Sequence, residues 1–332
     1  MTGTGGGGRP DGPPDAGNSG KRLAQLAGPA SPRRGRRAVY LTIGLALIAA
    51  IFASSSRLHL SGHRAANQDD TPVTNGTTRA AQPTVTPVLF NPADPFAGTP
   101  AAGYADGADG ILIPAAHAVG GYSATQVRAA YREVRRILIA AHLNRSVLAG
   151  RSPTAFASLL IQEQRSWFDR NLDKQGIDRH GNARSSRTWL TSFAPGTTDL
   201  IGAVIKVHGR MTAAAQGSGN SRVLSIRADY LFVYPVQQAG GDASTRMRIV
   251  ARTVLTVQFA TWNDPGGPLQ PWVSDVLGGP AGGICGINDG FVHPAFPGGP
   301  QSPVQPSGAP ISPYDQSSPP STHRGCQSIT GT

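Results

Sequence analysis

The spacing of apolar residues changes once along the chain, and that change divides its core-forming region into helices followed by strands. In YSATQVRAAYREVRRILIAAHLN, residues 122–144, Val127, Tyr131, Val134, Leu138 and Ala141 recur at helical spacing. Ser123 and Gln126 stand in the relation of a capping box and mark the start of this helix. Arg128, Arg132, Arg135 and Arg136 fall mostly on its other faces. After the turn NRSVLAGRSP, Ser152 and Pro153 open a second predicted helix, TAFASLLIQEQRSWFDR, whose buried side is Phe156, Leu159, Leu160, Trp167 and Phe168. Beyond residue 202 the period becomes two. GAVIKVHGRMTA sets Ile205, Val207 and Met211 against Lys206, His208 and Arg210. VLSIRADYLFVYPV sets Leu224, Ile226, Ala228, Tyr230 and Phe232 against Ser225, Arg227 and Asp229. TRMRIVARTVLTVQFATW alternates Met247, Ile249, Ala251, Thr253, Leu255, Val257 and Phe259 with Arg246, Arg248, Arg252 and Gln258. Turns at residues 217–220 and 239–242 join these three strands.

Helices first, then an antiparallel meander with one apolar and one polar face, predict an α+β fold with helices packed on one face of a curved sheet. RTWLTSFAP or PWVSDVLGG adds a short extra strand. This folded domain spans 111–297. The linker 57–110 and the Pro-rich tail 298–332 carry too little apolar surface to offset chain entropy, and so does the tail 1–37.

A further apolar pattern stands apart. RRGRRAVYLTIGLALIAAIFASSS, residues 33–56, carries no charge from Ala38 to Ser56, about the length that crosses a bilayer as a helix. Lys21, Arg22, Arg33, Arg34, Arg36 and Arg37 precede it, which places the N-terminus in the cytoplasm and the following domain outside. The run reads as a single-pass transmembrane anchor in the cell membrane. Ala53-Ser54-Ser55 is the kind of triplet at which an export signal would instead be cleaved. Outside the cell disulfides persist, so Cys285 and Cys326 are expected to tie the Pro-rich tail back to the domain; separate thiols or an intermolecular bridge are the alternatives.

This layout of short cytoplasmic tail, membrane helix, linker, helices and long strands resembles the NTF2-like superfamily. Within it the chain is similar to membrane-anchored extracytoplasmic members, the VirB8-type components of conjugation machinery and the Mce-associated proteins of actinobacteria. The resemblance covers about residues 111–265 and implies a cystatin-like cone. GGICGINDGFVHPAFPGG, residues 282–299, departs from that layout and reads as a C-terminal extension. The bias toward Ala, Gly and Arg, with three lysines in 332 residues, resembles actinobacterial coding style.

The net charge is +11. Part of it sits in the N-terminal tail, where it sets topology. On the domain, Arg246, Arg248 and Arg252 line one strand face, and Lys206, His208, Arg210 and Arg227 occupy the same side of the other two. Adjacent strands would make this a basic face, either a freely solvated row of cations or a docking surface for an acidic envelope membrane protein, anionic lipid or a cell-wall polymer. Nucleic acid is not expected, because the cations are scattered and no recognition motif accompanies them.

Chemistry is sparse. Glu163, Asp169 and Asp229 are the carboxylates that an NTF2-like enzyme could use in its cone. Ion pairs with Arg165, Arg170 and Arg227 account for them equally well. His142, His180, His208 and His293 lack metal-ligand spacing, and no phosphate loop or nucleophile elbow occurs. No catalytic residue, metal or cofactor is expected. The sequence therefore favours a non-enzymatic scaffold or accessory subunit of a membrane-bound complex serving secretion, conjugation or transport. The alternative is a small-ligand binder or enzyme using the cone, for which Tyr230, Tyr234 and Thr253 are the polar groups on the apolar strand faces.

Overall fold

The computed structural model describes residues 90–179, 181–261, 266–320 and 327–331. The tail 1–37, the apolar run 38–56, linker residues 57–89, His180 and Cys326 lie outside them. Among the described residues no helix is long and apolar enough to cross a membrane.

Helix α1, Ala124–His142, starts where the capping box places it. Gln126 N donates to Ser123 Oγ at 3.3 Å, and Ser123 N donates to Gln126 Oε1 at 2.9 Å. Val127, Tyr131, Val134 and Leu138 are buried, as the spacing predicts. Asn144 caps the short helix α2, Arg145–Leu148. The second predicted helix is broken into α3, Thr154–Ala157, and α4, Gln162–Asn171, with Ile161 extended between them. Arg165 accounts for the break. Its guanidinium takes the carbonyls of Ala157, Ser158 and Leu160 at 2.8–3.1 Å, supplying donors to a helix end that stops early. One consequence is that Trp167 turns outward, 43% exposed, instead of joining the buried side.

The main sheet has six strands: β1 (Ala105–Asp106), β2 (Thr198–Leu200), β3 (Lys206–Gln216), β4 (Val223–Gln238), β5 (Met247–Ala260) and β6 (Gln270–Ala281). Their order is β1-β3-β4-β5-β6, antiparallel throughout, and β2 pairs with the far end of β4. The fold is thus α+β, with the three predicted strands at the centre of the sheet. PWVSDVLGG forms not a short strand but most of the twelve-residue β6. RTWLTSFAP forms none: it holds a 3-10 turn and a loop whose Thr191 and Phe193 amides donate to Ala141 and Leu148 carbonyls. A separate parallel pair joins β7 (Ser307–Ile311) to β8 (Gln327–Ile329).

One side chain tailors the free edge of β6. The β5–β6 register shifts so that Thr256 faces Asp275 while Val257 faces Val273, leaving Ser274 as a bulge. At that bulge Gln164 of α4, 4% exposed, donates from Nε2 to the Val273 carbonyl at 2.8 Å and accepts from the Val273 amide at 3.0 Å. The side-chain amide replaces a missing strand. Gln164→Leu leaves both backbone groups buried without partners and is expected to cost about 2 kcal/mol in urea unfolding; a loss below about 0.5 kcal/mol would mean that water replaces the amide.

The sheet is buried on both faces along part of its length. The inner face carries the main core, from α1 and α4 to Tyr230, Phe232 and Tyr234. On the outer face Leu231, Val233 and Val250 form a second cluster with Phe96 and Ala101, and Tyr104 and Tyr314 pack against it. This corrects the expectation of a one-sided sheet. It also extends the packed structure beyond 111–297, because Phe96, Ala101 and Tyr104 of the expected linker and Tyr314 of the Pro-rich tail pack on this face. The sign is present in YLFVYPV, a continuous apolar run of the kind that strands buried on both faces carry. The extension 282–299 joins the main core through Val292 and Phe296, and Arg187 holds the Phe291 ring at 4.3 Å. Cys285 is disulfide-bonded. The chain's other cysteine, Cys326, lies outside the described residues.

Candidate functional site: a basic depression on the outer sheet face

Strand alternation does bring the predicted cations to one face, but the outer layer claims most of them. Arg248 is 1% exposed. It donates to the carbonyls of Pro95 and Ala97, and its guanidinium lies 5.1 Å from the Phe90 ring centroid. Lys206 pairs with Asp106 at 2.7 Å and donates to the Tyr104 carbonyl at 3.0 Å. His208 stacks on Tyr104 with ring centroids 4.6 Å apart. Arg246 is half-buried and donates to Gln237 Oε1 at 3.2 Å. A freely solvated row of cations is therefore corrected to a partly covered one.

Arg252 is the hinge of the arrangement. It grips Asp229 with two bonds, Nε to Oδ1 at 3.0 Å and a terminal nitrogen to Oδ2 at 2.8 Å. Asp229 thus pairs across the sheet, not with its chain neighbour Arg227 as expected. The same guanidinium donates to the Ser318 carbonyl at 2.8 Å, and Gln316 Nε2 donates to Asp229 Oδ1 at 3.2 Å. Burial pushes the Asp229 carboxyl up, but the Arg252 bond and charge, aided by Gln316, outweigh it and hold the group below the usual carboxylate range. An ion pair on the sheet therefore fastens residues 315–318 of the tail across its outer face.

Beyond this clasp the face opens into a depression of about 240 Å³. Arg210 and Thr212 of β3, Arg227 and Asp229 of β4, Arg252 of β5 and residues 316–319 line it. Arg210 stands opposite Asp229 in the register and Thr212 opposite Arg227, so the two exposed guanidiniums are diagonal neighbours. Among the described residues neither makes a hydrogen bond or an ion pair; the field of Arg227 reaches the carboxylates of Asp229 and Asp275. Alternation alone places Arg210 and Arg227 on this face. The opposite wall, Gln316, Ser317 and Ser318, was not found from sequence, because nothing in the composition of a Pro- and Ser-rich tail says where it lies.

The remaining candidates are dispersed. Glu163 and Asp169 are exposed on α4, and Arg165, expected to pair with them, is turned to backbone carbonyls. His293 pairs with Asp289 at 2.9 Å. His142 is buried, bonds through Nδ1 to Thr191 Oγ1 at 2.9 Å and stacks on Phe232. Among the described residues no three His, Cys, Asp or Glu groups converge as metal ligands would. Tyr230, Tyr234 and Thr253 are packed into the core. Tyr234 donates to the His142 carbonyl at 2.9 Å, and burial pushes the Tyr230 phenol up to about 12. The inner strand faces thus present packed side chains. Comparison with protein-family models, curated proteins and solved structures gives no match to this chain.

Proposed function

We propose that the chain is a single-pass envelope protein whose extracytoplasmic domain is an interaction module, serving as a scaffold or accessory subunit of a membrane-bound assembly. The membrane anchor is the apolar run 38–56, and the domain is an NTF2-like relative of the membrane-anchored type. One observation carries the interaction reading: the two sheet faces differ in what they leave unused. Core side chains occupy the inner face, which favours docking over a ligand or enzyme site in the cone. On the outer face Arg210 and Arg227 stay exposed and make no ion pair among the described residues, while Lys206 and Arg252 beside them are each paired with a carboxylate. Cations held without an ion pair on a rigid sheet suit electrostatic recognition of an anionic partner.

The test pairs crosslinking in intact cells with affinity recovery from solubilised membranes. Wild type is expected to bring down a stoichiometric set of envelope proteins. Arg210→Gln combined with Arg227→Gln is expected to recover about a tenth as much at unchanged protein level. Equal recovery from both, or recovery of the protein alone, would defeat the reading. This pair replaces Arg246, Arg248 and Arg252 as the choice for neutralisation, because Arg248 and Arg252 hold the outer layer in place and their loss would confuse docking with unfolding.

A further inference from the structure

The outer face sorts its cations in a way that narrows the ligand. Lys206 and Arg252 each have a carboxylate, Arg248 two carbonyls and Arg246 an amide oxygen. Arg210 and Arg227 lie diagonally across adjacent strands; Asp229 beside them is already bound to Arg252, and Asp275, two strands from Arg227 on the side away from Arg210, feels its field without forming an ion pair among the described residues. Two like charges so placed repel each other, and the rigid β3–β4 ladder keeps them together. An anion seated between them would relieve that repulsion.

From this arrangement we infer that the depression binds the phosphate group of a phosphate ester. Each guanidinium presents a planar fork of donors, and two forks from different strands approach from different directions, whereas the lone pairs of one carboxylate lie in a single plane. A phosphate group offers oxygens in several directions. It can meet both forks and still accept from the hydroxyls of Thr212, Ser317 and Ser318 around the rim. The depression is open to solvent, so the ester substituents can leave it. Asp229 does not repel the anion as a free carboxylate would, because Arg252 holds it in a bidentate pair. The tail segment 316–319 is part of the site: it forms the wall opposite the strands, fastened there by Arg252 and Asp229. The inference rests on the docking reading above and gives its face a chemical class. The same chemistry belongs to an anionic phospholipid headgroup and to a soluble phosphate ester.

Glycerol 3-phosphate is the probe, titrated by calorimetry into the purified full chain in nanodiscs of neutral phosphatidylcholine. Saturable binding is expected for wild type, weakened about tenfold or more in Arg210→Gln with Arg227→Gln, and unchanged in Arg246→Gln. Circular dichroism melts of each variant would show that the fold is kept. Arg210→Lys with Arg227→Lys retains the charge but loses the forks, and is expected to bind weakly; full retention would overturn the bidentate site. The source is read from a second set of discs containing phosphatidylglycerol. A headgroup that fills the site weakens glycerol 3-phosphate there and not in neutral discs, whereas equal affinity in both assigns the site to a soluble ester. Absence of binding to wild type overturns the inference. If partner recovery still depends on Arg210 and Arg227 in that case, the docking reading stands without it; if recovery is also unaffected, both fall.

Discussion

Lowering the pH from 6.5 to 4.5 is expected to remove about 2 kcal/mol of folding stability through one side chain, His142. The imidazole is 3% exposed at the C-terminal end of α1. Its ring stacks on Phe232 at 4.6 Å, and its Nδ1 meets the Thr191 hydroxyl. Burial pulls its pKa down from 6.5 to about 3, since a charged ring would lose its hydration and no carboxylate among the described residues pairs with it. The sign follows. Between those two values the unfolded chain takes up a proton that the folded chain refuses, so stability is complete above 6.5 and drains away as pH falls. Asp229 acts in the same direction but lower down, because its depressed carboxyl costs stability only as pH drops below the ordinary 3.8.

Urea unfolding at half-unit steps between pH 6.5 and 4.5 measures the effect. His142→Asn keeps a polar group near the Thr191 hydroxyl and removes the titration. That variant is expected to be less stable at pH 7, having lost the ring on Phe232, yet nearly flat across the window. A wild-type curve equally flat there would mean that the buried ring finds water or another acceptor on protonation.

His142 also marks where sequence reading stops. The spacing of Val127, Val134 and Leu138 places it at the end of a buried helix. It does not say that the loop 190–193 covers it, because those contacts join residues about fifty positions apart. The same limit explains the broken second helix. Its apolar spacing is compatible with one continuous element, and the break depends on Arg165 reaching back to three carbonyls. In β3, β4 and β5 the alternation was legible because local spacing alone decides it. That alternation correctly put Arg210, Arg227, Arg248 and Arg252 on one side of the sheet. What lies over that side was not legible: its cover comes from residues 90–106 and 314–319, whose Pro-, Ala- and Ser-rich composition suggests open chain. The apolar residues at Phe96, Ala101 and Tyr104 suffice only because Leu231, Val233 and Val250 already form the other half of the layer.

That layer gives the second large effect, a loss of about 3 kcal/mol in Arg248→Met. Arg248 is the least exposed charged side chain of the outer face, and burial pulls its guanidinium down from the ordinary arginine range. Its donors reach the carbonyls of Pro95 and Ala97, and its plane lies over Phe90. Methionine keeps most of the apolar stem, so the expected loss belongs to the two carbonyls left in a covered layer with no donor. Arg246, two residues earlier, shares the face but its one side-chain hydrogen bond among the described residues goes to Gln237, and Arg246→Met is expected to cost less than about 0.5 kcal/mol. A solvated row of cations would give two equal and small values. Urea unfolding of both variants separates the cases, and hydrogen exchange locates the damage: amides of 96–106 should lose protection in Arg248→Met before those of β4 and β5. If the two variants unfold alike, the outer layer is not held by Arg248, and residues 90–106 rest on the sheet through Phe96 and Ala101 alone.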